Sequence, residues 1–191
     1  MTADTDAHWE EQTEEQRRQR ERYFREHPQS PLPEETFAGL AYYPIRENYR
    51  FVVPLEEHDD PELITVETTA DGEQQYHRHG EFSVELEGTE ITLQAYRPPE
   101  SDRLWVPFRD ETNGDETYGA GRYLDLDPES HEREDGWILD FNAAYNPTCA
   151  YNTAYECPLI PMENWLDVRI EAGEKDYPGE PVDPHGHNQQ R

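Results

Sequence analysis

The stretch QYHRHGEFSVELEGTEITLQAYR, residues 75–97, decides the class of the fold. Phe82, Val84 and Leu86 alternate with Ser83, Glu85 and Glu87. Beyond Gly88, Ile91, Leu93 and Ala95 alternate with Thr92, Gln94 and Tyr96. A period of two belongs to a strand with one face in the core and one in water, because successive side chains point to opposite faces. Two such runs flanking a glycine predict an antiparallel hairpin that turns at Gly88.

The pattern extends both ways. YRFVVPLE (49–56) and ELITVETT (62–69) precede the hairpin. RLWVPFRD (103–110), TYGAGRYLDL (117–126), GWILDFNAAY (136–145) and WLDVRIEAG (165–173) follow, the last with Leu166, Val168 and Ile170 on one face. Strand-like runs joined by short connections, without helical crossovers, predict a mainly β chain. The expected form is a curled antiparallel sheet, closed as a barrel or stacked as a two-layer sandwich. The barrel is favoured because closure removes edge strands. An N-terminal helix is expected over 6–26, where no glycine or proline interrupts good helix formers and glutamates lead arginines. Its thin apolar content, Trp9, Tyr23 and Phe24, predicts contact with the body through one end at most. Prolines in HPQSPLPEE stop it. The expected division is a helix and proline-rich linker over 1–30, one β-rich domain over 31–176 and a flexible tail over 177–191.

Composition narrows the function. The chain has 191 residues, with 44 acidic against 16 basic side chains and a net charge of −28. Lys175 is the only lysine. A field of that sign repels nucleic acid and anionic lipid, so neither is an expected partner. Acids spread along the whole chain point to a salt-filled cytoplasm, where screening relieves self-repulsion. No apolar run approaches the ~18 residues of a membrane span. MTADTDAHWEEQ lacks the basic start and apolar core of a signal peptide, so a cytoplasmic location is expected.

Familiar chemical motifs are missing: there is no GxSxG, P-loop, HExxH or CxxC. GAG, 119–121, lies in a strand-like run and is read as a bend or a close approach of chains. Cys149 and Cys157 are eight apart, which is no zinc spacing. His77 and His79, or His185 and His187, would have to complete such a site. Packed thiols are expected, with a disulfide as the alternative, and no metal or cofactor. The polar group in FRDETNGDETYGAGRY is more informative. Arg109 or Arg122, if turned inward, must meet a carboxylate or a bound anion. Asp140 and Asn142 share one strand face, and Leu139 and Phe141 share the other. One arrangement puts Leu139 and Phe141 in the core and leaves the polar pair wet. The other turns Arg109, Asp110, Arg122, Asp140 and Asn142 into a cavity, with Tyr118, Tyr123, Tyr145 and Tyr151 as walls and hydroxyl donors. A guanidinium fork in such a pocket suits a carboxylate or phosphate.

SPLPEETFAGLAYYPI (30–45), VPFRDETNGDETYGAGRYLDL (106–126) and DFNAAYNPTCAYNTAYECPLIPMENWLDVRIEAGEK (140–175) carry a family resemblance. In these phrases, with the first helix, the chain resembles the family described as domain of unknown function 1684, over most of residues 15–175. The acidic surface suits a haloarchaeal member. The resemblance implies membership and assigns no catalytic role to any residue. Three functions therefore stay open. The first is a noncatalytic domain binding a small polar or anionic molecule. The second is a hydrolase or lyase with Asp110 or Asp140 as general base. The third is an interaction or structural domain, such as a homodimer with an aromatic seam.

Overall fold

The computed structural model describes residues 3–184. His185 and His187 lie outside them. Helix α1 spans Ala3–Glu26. The strands are β1 Arg50–Val53, β2 Glu56–Glu67, β3 Glu73–Leu86, β4 Thr89–Arg97, β5 Leu104–Phe108 and β6 Arg122–Leu126. A short helix α2, Pro128–His131, then leads to β7 Glu132–Arg133 and β8 Gly136–Asp140. They form two antiparallel sheets, ordered β1-β8-β7 and β2-β3-β4-β5-β6.

The hairpin at 75–97 folds as its pattern dictates. Phe82 pairs with Leu93 and Val84 with Ile91, and the turn closes at Leu86–Thr89. Glu87 and Gly88 both take positive φ, 50° and 83°, the conformation of a two-residue hairpin turn matched to strand twist. The buried alternation meets Phe51, Val53, Trp137 and Leu139 from the smaller sheet, and one core fills the space between the sheets. Ser83, Glu85 and Thr92 stay wet as read. Gln94 and Tyr96 do not, because residues 158–164 cross that face. Tyr96 joins Tyr76, Trp105, Tyr123 and Ile160 in a second cluster.

The sheets do not close into a barrel. β2 remains an edge strand, and its own residues protect it: Glu56, Glu57, Asp59, Asp60 and Glu62 are exposed, Pro61 interrupts it, and its register shifts between Glu57 and Glu62. The run at 165–173 is not a regular strand, although Ile170 and Ala172 are fully buried. Gly121, with φ +101°, immediately precedes β6. A Cβ there would lie 2.6 Å from the Phe108 carbonyl and collide with Ile160, so the close-approach reading of GAG holds at this glycine.

Helix α1 docks along its length, not through one end. Trp9, Thr13, Arg17, Arg20 and Phe24 recur at three- and four-residue spacing and line one face. Tyr177, at the head of the expected tail, is buried. Its hydroxyl accepts from the Ala38 N–H at 3.0 Å.

Candidate functional site

The candidate polar residues fall in three separate places. Arg109 lies at the surface, with its guanidinium 4.4 Å from the Trp165 ring centroid and donating to the Gly119 carbonyl at 3.2 Å. Arg122 is fully buried. It donates to Asp110 Oδ1 at 3.2 Å and to the carbonyls of Ile170, Ala172 and Glu174. Asp110 Oδ2 accepts from the Ile170 N–H at 2.8 Å and from Thr112 Oγ1 at 2.7 Å. Carbonyls at 170, 172 and 174 face one way along an extended chain. Arg122 and Asp110 therefore stand where a neighbouring strand would, and their side chains complete the main-chain pairing of 170–174. Burial alone pushes Arg122 below its ordinary pKa, against the pull of Asp110. The Asp110 oxygens are already occupied by donors, while Arg122 Nε is buried without a hydrogen-bond partner.

Asn164 does the same work elsewhere. Only Tyr96–Trp105 is in register between β4 and β5. Pro107 has no N–H to offer that side. The Asn164 amide fills the gap, donating to the Gln94 and Pro107 carbonyls at 2.9 and 2.7 Å and accepting from Gln94 N–H at 2.8 Å.

Asp140 and Asn142 are buried together with Leu139 and Phe141, so neither face of that run is wet. Helix α1 supplies the cover. Trp9 Nε1 donates to Asp140 Oδ2 at 2.7 Å, and Asn142 exchanges hydrogen bonds with the main chain of Arg46. Asp140 Oδ1 accepts twice from Asn142. Donors occupy both oxygens of Asp110, while Asp140 Oδ2 accepts one hydrogen bond and Asp140 borders a separate cavity of about 210 Å³.

The tyrosines also divide. Tyr123 donates to the Pro158 carbonyl, Tyr151 accepts from Asn146 Nδ2 at 3.1 Å, and Tyr118 lies 3.6 Å from Cys149 Sγ. Tyr145 donates to Asp125 Oδ2 at 2.5 Å. Among the described residues, no group of three or more His, Cys, Asp or Glu is arranged for a metal. Both cysteines are free thiols. Among the described residues, no helix is long and apolar enough to cross a membrane.

The structure does assemble a cavity with charged and polar residues in its lining, beneath α1. It measures about 70 Å³ and is lined by Arg17, Arg20, Tyr42, Asn142, Tyr145 and Glu174, among others. Beside it runs a groove of about 320 Å³ that shares Arg17 and Tyr42 and adds Arg18, Arg22 and Arg25 together with Glu21 and Glu26. Arg20 Nε donates to Glu174 Oε2 at 2.8 Å, and the Glu174 side chain is 1% exposed. Burial raises the Glu174 pKa against the pull of Arg20. Burial would lower Arg20, but Glu174 outweighs it and holds the guanidinium above its ordinary pKa. Arg17 gives its two terminal nitrogens to the carbonyls of Tyr43 and Asn142, at 2.9 and 3.1 Å, and lies over the Tyr42 ring. Its Nε and the Tyr42 hydroxyl are buried without a hydrogen-bond partner. Burial, with Glu174 nearby, pushes the Tyr42 hydroxyl well above its ordinary pKa and keeps it a donor.

Of the candidates read from sequence, Asn142 and Tyr145 line this cavity. Arg17, Arg20, Tyr42 and Glu174 were not among them. The available signal was the spacing of Trp9, Thr13, Arg17, Arg20 and Phe24 on one helix face.

A family model described as protein of unknown function (DUF1684) matches residues 35–175. A solution NMR structure of an uncharacterised protein from Haloarcula marismortui is similar. It is 40% identical, with a TM-score of 0.69, over 92% of this chain and 97% of that one. No curated protein matches.

Proposed function

The chain belongs to the DUF1684 family of proteins of unknown function, and since that membership brings no activity with it, we propose from the geometry that the domain binds a small anion under helix α1. The ligand class is a carboxylate- or phosphate-bearing molecule. Its anionic group sits at the Arg17–Tyr42 mouth and its remainder lies in the arginine-lined groove. The observation that carries the reading is that two of the buried side-chain atoms without partners, Arg17 Nε and Tyr42 Oη, belong to residues that line both cavity and groove. A buried donor left unpaired costs about 1–3 kcal/mol, and an anion at this junction relieves both. Charge supports the same class. On a chain of net −28, Arg17, Arg18, Arg20, Arg22 and Arg25 fall within nine residues of one helix. An anion that the rest of the surface repels is drawn there. The binding role needs no reacting group, which suits carboxylates already occupied by donors.

Thermal melts in molar KCl with inorganic phosphate, acetate and a four-carbon dicarboxylate test this. One of them is expected to raise the midpoint in a concentration-dependent way, and Arg17→Ala and Tyr42→Phe are expected to abolish the rise. A shift that survives both substitutions, or no shift with any probe, removes the site.

Self-association is the second reading. Its support is the exposure of Leu159, Met162 and Trp165, at 40%, 76% and 48%, on one short segment. Light scattering in molar KCl checks it, and a monomer at every concentration ends it.

A further inference from the structure

Cys149 lies in a single 3₁₀ turn, Thr148–Ala150, and Cys157 follows across the loop 151–156. The chain folds back so that the Cys149 N–H donates to Cys157 Sγ at 3.3 Å. Cys157 is pinned by Thr69, whose Oγ1 accepts from its N–H at 3.1 Å and whose N–H donates to its carbonyl at 2.9 Å. The Tyr118 hydroxyl completes the surroundings, 3.6 Å from Cys149 Sγ. Neither the fold nor the anion site uses these sulfurs.

We propose that Cys149 and Cys157 form a redox-active dithiol, in which Cys149 attacks a hydroperoxide and Cys157 closes the disulfide. The two sulfurs are unequal. Hydrogen bonds from Cys157 and Tyr118 lower the Cys149 thiol to about 7, against the effect of burial. Cys157, giving its proton to Cys149 and desolvated, is pushed upward. One thiol is thus thiolate near neutral pH and the other holds its proton, the division of labour between an attacking and a resolving cysteine. Tyr123 and Asp176 are the other ionisable groups that act on the Tyr118–Cys149–Cys157 cluster. Each cysteine is 7% exposed. Cys157 Sγ already lies 3.3 Å from the Cys149 backbone nitrogen, so the two residues are held side by side for closure.

In the first step the Cys149 thiolate bonds to one peroxide oxygen and the O–O bond breaks. The leaving alkoxide takes a proton, and Cys149 becomes a sulfenic acid. Cys157 then attacks the Cys149 sulfur. The S–O bond breaks, and the departing hydroxide takes the Cys157 proton and leaves as water. The two thiols lose two electrons, and the peroxide gains them as alcohol and water.

The test uses the full chain in molar KCl with one equivalent of hydrogen peroxide, read by intact mass and peptide mapping. The expected product has lost two hydrogens and carries a Cys149–Cys157 cross-link. Cys157→Ser is expected to stop at a Cys149 sulfenic acid that dimedone traps. Cys149→Ser is expected to react at least ~10-fold more slowly. Limiting iodoacetamide on the unmutated chain, which needs no variant to fold, is expected to label Cys149 first, with a rate midpoint near the value that its hydrogen bonds set. Label on Cys157 first, oxygen addition at exposed Met162 without a cross-link, or equal rates with and without Cys149 would each overturn the proposal.

Discussion

At the scale of single residues, this protein uses buried polar side chains where other sheets use strands. Arg122 with Asp110 serves 170–174, Asn164 bridges β4 and β5, and Asn142 pairs with the main chain at Arg46. Each satisfies main-chain groups that would otherwise be buried unpaired. Substitution at such a residue should therefore cost more than one lost side-chain contact. Asp110→Ala leaves the Arg122 guanidinium buried without its counter-charge, and the expected loss is about 3–5 kcal/mol. Arg122→Lys keeps the charge. A lone ammonium cannot span three carbonyls and a carboxylate, so a loss of about 3 kcal/mol is expected. Urea denaturation at fixed salt measures both, and a loss under about 1 kcal/mol in either would show that another group serves these carbonyls. The sequence made the residue types legible: a buried Arg122 had to find a carboxylate. It could not reveal that the partner to be completed was the chain's own backbone, because 165–168 pairs with the main chain at 109–111 and the need arises only beyond it, where the carbonyls of 170, 172 and 174 meet Arg122.

At the scale of elements, the β3–β4 hairpin was readable because its alternation and turn agree. The last strand-like run was not, because periodicity reports which face is buried and says nothing about what pairs its edge. Helix α1 shows the converse problem. Its existence follows from composition, while its docking face carries Thr13, Arg17 and Arg20 where an apolar count looks for leucine. The guanidiniums dock through Glu174, through carbonyls and over the rings of Tyr42 and Tyr145. That attachment makes α1 sensitive to one residue. Arg20→Ala strands the buried Glu174 carboxylate, and because the Arg20 side chain is 30% exposed, the low end of the usual penalty applies, about 3 kcal/mol. Amide hydrogen exchange is expected to show α1 protection falling about 100-fold, while β3 and β4 keep theirs. Equal losses in the helix and the strands would mean that the helix does not open on its own.

At the scale of the whole molecule, the fold places like charges where a sheet usually avoids them. Glu56 stands opposite Glu81, Glu67 opposite Glu73, and Glu85 opposite Glu90 across antiparallel pairs. Directly opposed side chains have Cβ atoms about 5 Å apart, and like charges there are destabilising. That separation is inside the ~10 Å screening length of 0.1 M salt and outside the ~3 Å length of 1 M salt. The pairing was invisible in the sequence, where net charge is a sum and register is unknown. It turns the general expectation of salt dependence into a local one. Glu85 and Glu90 are both exposed, so Glu85→Gln removes one repulsion without touching the core. The expected gain at 0.1 M KCl is about 0.2–1 kcal/mol, and it should vanish at molar KCl as the unmutated chain gains the same relief from ions. Melts of both chains across a KCl series measure this. If the curves stay parallel, the salt acts on hydration or burial and the cross-strand glutamates are not what it screens. If they converge, the β3–β4 ladder that defines the fold is also where its charge is felt, and high salt belongs among the conditions that make this sheet stable.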